Sequence, residues 1–431
     1  MNDSHDHAVA TTLRFLERLF DSGSADRVGF RLWDGTMWPD DRPRDALVVL
    51  KHPGALRRML VPGTELALGE AYLYDDFDVE GDLEKVFEMA DVWGQEAQGL
   101  LQRLRAAREL LQLPSGPERK PLRRGPARLR GKRHSIERDR EAVRYHYDVS
   151  NEFYALWLDQ RMVYSCAYFE RPDEPLDKAQ ERKLDYICRK LRLQPGQRLL
   201  DIGCGWGGLV IHAAQRYGVE AIGITLSEPQ AELANERIAQ AGLQDRCRVL
   251  VQDYREASAP DGGYDALASV GMFEHVGEEM LPVYFARAWE LLKPGGVFLN
   301  HGIARRIDLP PRDDRSFSDA YVFPDGELTP ISTTLRIAEE AGFEVRDVEN
   351  LREHYVLTLR NWVRRLEAHH EEALQYVDEG TYRVWRLFMS GSAYGFRVGR
   401  LQVFQTLLSK PGPGGESGLP LTRADWYVHS A

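Results

Sequence analysis

Apolar positions follow two rhythms along this chain, and the change between them marks its organisation. Near the start, "TTLRFLERLF" puts Leu13, Leu16, Leu19 and Phe20 on one side of a helix. "ALVVLKHPGAL" and "YDDFDVEGDLEKVFEMADVW" predict a short strand and a further helix, and "EAQGLLQRLRAARELLQL" predicts a helix closing a first unit at residue 112. Residues 114–135, "PSGPERKPLRRGPARLRGKRHS", hold four prolines and no hydrophobic periodicity, the composition of a linker. After the helical stretch "IERDREAVRYHYDVSNEFYALWL", short apolar runs alternate with helical ones. Strands are predicted at 198–203, 220–225, 247–253, 265–271 and 296–303, with helices "SEPQAELANERIAQAG" and "MLPVYFARAWELL" among them.

Alternation at this pace predicts an α/β fold, a doubly wound parallel sheet with helices on both faces. Ligands bind such sheets beyond the carboxyl ends of the strands, where strand order reverses. Cys204, Glu274 and His301 fall at those ends. The aromatic-rich stretches between about 305 and 405 predict a helical cap over the same edge. The expected organisation is a small N-terminal α+β domain (1–112), a basic Pro-rich linker (113–135) and a second domain (136–431) that carries the cap.

Composition narrows the function classes. At 431 residues the chain exceeds what a single core of about 250–300 residues supports. Its 43% hydrophobic content excludes a disordered chain. Cys166, Cys188, Cys204 and Cys247 lack paired-ligand spacing, so neither a metal site nor a disulfide framework is expected, and reduced thiols imply a cytoplasmic location. The first residues lack the basic and apolar regions of a signal peptide. No run reaches the ~18 apolar residues of a membrane span, so any membrane contact is expected to be peripheral. A net charge of −11 argues against a general nucleic-acid binder. The linker opposes that trend with Arg119, Lys120, Arg123, Arg124, Arg128, Arg130, Lys132 and Arg133 against Glu118. It reads either as a solvated connector or as an anchor for anionic lipid, at about 1 kcal/mol per basic residue near the surface.

Two stretches carry chemistry. "LLDIGCGWGGL" follows a strand and opens a helix, and Gly203, Gly205 and Gly207 permit close backbone approach to a ligand. Its D-x-G-x-G-x-G spacing differs from the dinucleotide fingerprint, and the next strand ends without the acid that takes a ribose. "ALASVGMFEHVGEE" ends a buried strand on Glu274 and His275, either the start of a solvated loop or a charge placed in an apolar pocket.

"HYDVSNEFY", "YSCAYF", "LLDIGCGWGGL", "GITLSEPQ", "QDYR", "GMFEHVG", "LLKPGG" and "YVLTLRNW" occur in that order. Together they resemble the cyclopropane-fatty-acyl-phospholipid synthase family of class I S-adenosylmethionine-dependent methyltransferases. That family includes mycolic-acid cyclopropane synthases and the methyltransferases that branch fatty-acyl chains. The likeness covers about residues 136–405 and extends more weakly to an N-terminal lipid-associated domain.

The resemblance implies a Rossmann-like class I fold with S-adenosylmethionine as cofactor. Tyr164 and Ser165 would contact its methionine end, and Asp201, Gly203, Cys204, Gly205 and Gly207 would wrap it. Thr225 and Gln230 would serve the ribose, and Asp253 and Tyr254 would flank the adenine. The implied reaction moves a one-carbon unit to the cis double bond of an unsaturated phospholipid acyl chain, through a carbocation that bound bicarbonate deprotonates. Cys166, Glu274, His301, the Ile303 backbone and Tyr355 would hold that base.

Taken singly, Cys166 reads as a small buried hydrophobe, His301 is undecided, and His275 reads as structural. Two positions depart from the family pattern. Ser392 stands where relatives often carry a cysteine, which excludes a covalent cysteine mechanism there, and "FPDGEL" puts Asp325 in place of a glycine. The product is a cyclopropane or a methylene-branched chain; the latter implies a separate flavin- or nicotinamide-dependent reductase. The expected partner is an anionic phospholipid surface at the inner face of the cell membrane, with no nucleic acid and a homodimer left open. The competing classes are a soluble small-molecule methyltransferase and a non-catalytic lipid-binding relative; the intact glycine loop speaks against the second.

Overall fold

The computed structural model describes residues 2–20, 26–96, 100–147, 149–309 and 315–427. The chain forms two compact units. One comprises Met1–Pro126, Arg312–Val322 and Val377–Tyr394; the other comprises Ala127–Pro311, Phe323–Tyr376 and Gly395–Ala431.

The first unit is α+β. Strands β1 (Val28–Arg31), β2 (Met37–Trp38), β3 (Ala46–Leu50) and β4 (Phe77–Gly81) form a sheet in the order β2-β1-β3-β4. The helix Asn2–Leu19 buries Phe15 and Leu16, while Leu13 and Leu19 are half-buried. Its apolar stripe is thus turned slightly from the one its leucines alone predict. The first part of the basic stretch is fastened to this unit. Arg57 donates to the Leu113 carbonyl at 2.8 Å, Arg58 to that of Ser115 at 2.7 Å, and Arg119 Nη2 to Asp76 at 2.6 Å. Burial works against the Asp76 charge, but hydrogen bonds from His52, Arg119 and Arg58 hold its carboxyl below the usual range. Residues 377–394, expected in the cap, belong here as well. Arg383 donates to the Tyr72 carbonyl at 2.9 Å and to Asp78 at 3.0 Å.

The second unit is built on a seven-stranded sheet in the order β10-β11-β9-β8-β5-β6-β7. Its strands are β5 (Arg198–Ile202), β6 (Glu220–Thr225), β7 (Cys247–Val251), β8 (Tyr264–Val270), β9 (Leu292–Arg305), β10 (Glu344–Asn350) and β11 (Leu401–Ser409). β5 to β9 pair in parallel, while β11 runs antiparallel to both β9 and β10. Runs such as "RLLDI" are apolar on consecutive residues because helices cover both faces. Leu199, Ala268, Leu299 and Leu407 belong to the core on one face, and Leu200, Leu267, Phe298 and Leu408 to the core on the other. Strand order reverses at β5, which lies between β6 and β8, and the glycine loop leaves its carboxyl end.

The sheet corrects one expectation. "RLQVFQTLL", read as the end of a cap helix, forms β11, and β10 lies in the same stretch of sequence. The alternation Leu401, Val403, Gln405 and Leu407 is a strand pattern directly following the helix Glu379–Arg397, with Gly399 at the junction.

Candidate active site

A cavity of about 1060 Å³, part of it open to solvent, lies at the carboxyl edge of β5, β6 and β8. It is lined by Tyr164, Ser165, Asp201, Gly203, Cys204, Gly205, Thr225, Gln230, Asp253 and Tyr254, so ten of the eleven expected cofactor residues meet here. Gly203 has φ +79° and Gly205 φ +54°, conformations that favour glycine. A Cβ on Gly203 would lie 2.5 Å from Met272 Cβ, whereas one on Gly205 would approach only Gln230 Nε2, at 4.0 Å. The first glycine therefore closes the loop and the second keeps room beside Gln230. Gly207 does not line the cavity. It caps the helix Gly208–Tyr217 with φ +78°, and a Cβ added there would lie only 3.1 Å from Ala234 Cβ. The Cys204 thiol turns onto Gly223 of β6.

The remaining side chains form a polar frame. The Thr225 hydroxyl donates to Gln230 Oε1 at 2.8 Å. Asp253 is committed to Arg255, which donates to it at 2.8 and 2.7 Å and also to Asp139 at 2.9 Å. Asp201 is buried, and its Oδ1 has no partner among the described residues. Burial raises its carboxyl to about 7, against the pull of Lys183. An acid with one oxygen unpartnered among the described residues, a glycine turn and an amide-hydroxyl pair suit S-adenosylmethionine, which carries cationic groups and a ribose.

Lys183 was not singled out from the sequence. On the helix Leu176–Lys190 it shares the buried stripe of Leu176, Ala179, Gln180 and Ile187. Its Nζ donates to Ser165 Oγ at 2.7 Å, and burial lowers its pKa to about 8. Gln180 Nε2 donates to the carbonyls of Ser165 at 2.9 Å and Val163 at 3.3 Å. The signal in the sequence is a lysine and a glutamine at positions that fall on the buried stripe of a helix.

Beyond this cavity lie the residues expected to hold a base. Glu274 sits on a 3₁₀ turn, Phe273–His275, just past β8, and the turn reaches the cavity through Met272, His275 and Val276. Its Oε1 accepts the Ile303 N–H at 2.7 Å, whereas Oε2 is buried with no partner among the described residues. Burial raises its carboxyl to about 7, opposed by the Ile303 hydrogen bond. The Ile303 N–H, expected to help hold the base, donates to Glu274 here and so ties that backbone to the carboxyl.

His301 is 1% exposed, and neither ring nitrogen has a partner among the described residues. Burial, then Lys183 and Lys190, keep it neutral. The Cys166 thiol donates towards the carbonyls of Ala167 (3.3 Å) and Leu351 (3.7 Å), and burial pushes its pKa far up, so it is a hydrogen-bonded thiol. Tyr355, on the helix Arg352–Ala368, is within electrostatic reach of Cys166, Glu274 and Tyr147.

Two further groups emerge only in three dimensions. Tyr147 lines the cofactor cavity and feels the Glu274 charge, joining the two regions. His275, expected to be structural, lines the cavity with Nε2 unpartnered among the described residues, and burial lowers its pKa to about 4. Tyr164 has Trp157 and Trp362 at 5.3 and 5.2 Å between centroids, an aromatic wall beside the same cavity.

Comparison with known proteins shows the family of this chain. A family model described as mycolic acid cyclopropane synthetase matches residues 134–406. The chain is 40% identical over 400 residues to a probable fatty acid methyltransferase of Pseudomonas putida, covering 92% of this chain and 95% of the relative. It is 38% identical over 279 residues to the cyclopropane-fatty-acyl-phospholipid synthase of Escherichia coli, covering 64% of this chain and 69% of the relative. The solved cyclopropane synthase MmaA2 of Mycobacterium tuberculosis shares 35% identity at a TM-score of 0.59, covering 62% of this chain and 97% of that structure.

Proposed function

We propose, because the chain belongs to the mycolic acid cyclopropane synthetase family, that it transfers a one-carbon unit to the cis double bond of an unsaturated phospholipid acyl chain. It is an S-adenosylmethionine-dependent enzyme of fatty-acyl cyclopropane or methyl transfer. The phospholipid substrate and a bicarbonate base are our reading. The observation that carries it is Glu274, a carboxyl anchored through one oxygen with the other buried and unpartnered among the described residues.

An alkene is a weak nucleophile, so positioning is the main lever on the barrier. When bound, S-adenosylmethionine supplies the electrophilic methyl, and bicarbonate supplies a base that accepts the proton the alkylated chain gives up. Lys183 and Gln180 fix the 163–166 segment, and with it Tyr164 and the Cys166 thiol. Tyr147, Tyr164 and Trp362 offer π faces where positive charge develops, an interaction of about 0.5–2 kcal/mol. Glu274, with a pKa near neutrality, can take or hold a proton at Oε2. Neutral His301 offers one donor and one acceptor, and the Cys166 thiol would donate to an oxyanion only by turning from the Ala167 and Leu351 carbonyls. This constellation would bind and orient a small oxyanion in apolar surroundings.

No helix of the described residues is long and apolar enough to cross a membrane. The exposed Arg123, Arg128, Arg130 and Lys132 support access to lipid from an anionic surface. A soluble small-molecule methyltransferase is not favoured, because the relatives are named for fatty-acyl and phospholipid substrates.

The test is incubation with vesicles of a cis-monounsaturated phospholipid and methyl-¹³C S-adenosylmethionine, followed by NMR of the extracted lipid. Label in a ring carbon or an exocyclic methylene is expected; the second outcome calls for a reductase acting next. Lipid free of label would overturn the reading.

A further inference from the structure

We infer that Gln405 is a positioning residue for His301: across one rung of the sheet its amide sets, directly or through one water, which ring nitrogen of His301 carries the proton. This rests on the reading of His301 as a holder of the small base.

β9 and β11 pair antiparallel with Leu299 opposite Leu407, His301 opposite Gln405 and Ile303 opposite Val403. Directly opposed side chains share a face, with Cβ atoms about 4.5–5.5 Å apart. A single polar rung is therefore set between two apolar ones. His301 is 1% and Gln405 0% exposed. All four side-chain polar atoms of the pair, both ring nitrogens and both amide atoms, lack a hydrogen-bond partner among the described residues.

Four such atoms on one rung are unusual, because buried amides and imidazoles are nearly always satisfied and a second Leu–Leu rung would fold better. The pairing makes chemical sense on one condition. A neutral imidazole has one donor and one acceptor, and its tautomer follows from the bond its other nitrogen makes. A primary amide offers both kinds of group and can complement either nitrogen. Next to Gln405 in the sheet stands Glu349, which accepts Lys190 Nζ at 2.5 Å. Glu349 and Lys190 are thereby paired with each other, and Lys183 donates to Ser165 Oγ, leaving the amide to His301.

The experiment is a bicarbonate titration of turnover in carbon-dioxide-depleted buffer, on the full-length enzyme with unsaturated phospholipid vesicles. For Gln405→Leu, half-saturating bicarbonate is expected to rise about tenfold or more, the typical effect of losing a group that orients a ligand. The KM for S-adenosylmethionine should stay within about twofold while half-saturating bicarbonate rises, a split that a merely structural role would not produce; the melting temperature should fall, because a buried ring nitrogen of His301 loses its partner. Gln405→Met keeps the length, removes the amide and gives the same readout should the leucine variant fold poorly. Gln405→Glu, protonated in this burial, should restore most of the affinity. If the wild type ignores bicarbonate, the base reading fails and this inference with it. If the wild type responds and both apolar variants titrate like it, the base reading stands and the role of Gln405 is overturned.

Discussion

The Ile303 N–H donates to Glu274 Oε1 at 2.7 Å, so the strand β9 holds a carboxylate that lies 29 residues earlier in the chain. A glutamine there would still accept that bond but could not accept a proton. Glu274→Gln should therefore keep the fold and lower turnover by roughly 10²–10⁴-fold. Affinity for S-adenosylmethionine, measured by calorimetry, should change less than about threefold. Collapse of cofactor binding would place Glu274 in the wrong site.

Stability should carry the mark of the same carboxyl. Burial raises Glu274 from an ordinary 4.5 to about 7, so the folded chain binds a proton that the unfolded chain has released. Stability then falls as pH rises from about 4.5 to 7, and the whole penalty is present above that. In urea titrations Glu274→Gln should match the wild type at pH 5 and exceed it at pH 8 by on the order of 1–3 kcal/mol. Equal stability at both pH values would mean the carboxyl is solvated.

Asp201 makes a different demand. Burial raises its carboxyl to about 7, and a cationic cofactor favours its ionised form. Affinity for S-adenosylmethionine should weaken as pH drops from 8 to 6, and Asp201→Asn should be weaker by about tenfold at pH 8. Burial lowers the nearby Lys183 to about 8, so the lysine contributes to any slope left in the asparagine variant.

Asp325, the departure in "FPDGEL", has φ +62° and accepts Arg138 through both oxygens, at 2.5 and 2.9 Å. Two residues on, the Glu327 N–H donates to the Glu274 carbonyl at 2.9 Å, so this pair steadies a loop attached to the turn that carries the base. Asp325→Ala loses the pair and keeps the strained backbone, an expected loss of about 1–3 kcal/mol. Asp325→Gly loses the pair and relaxes the backbone, and should be about 1 kcal/mol milder. Urea midpoints in the order wild type, Gly, Ala would bear this out, while Ala at or above Gly would rule out a role for the backbone.

The basic stretch should separate into two groups. Replacing the exposed Arg123, Arg128, Arg130 and Lys132 by alanine should weaken binding to anionic vesicles by about 1 kcal/mol per residue, read by cosedimentation at two salt concentrations. Arg119→Ala should lower the melting temperature, because it strips a partner from the buried Asp76. Vesicle binding untouched by the first set would leave a solvated connector.

Local patterns carried much of this protein. The alternation of strand and helix from "RLLDI" onward requires covered parallel strands, and a D-x-G-x-G-x-G turn at the end of β5 requires residues without Cβ where a ligand comes close. Those demands are met by neighbours in sequence, so they were legible, as was Glu274 at the end of an apolar run. What folding alone decided depends on partners far apart in the chain. "RLQVFQTLL" is a strand because β9 and β10 bracket it. Lys183 is a site residue because its helix faces Ser165, and Tyr147 because it reaches both the cavity and Glu274. Gln405 matters because its rung partner is His301. A side chain's hydrogen bonds and its burial are set by what packs against it, and no spacing along the sequence encodes that.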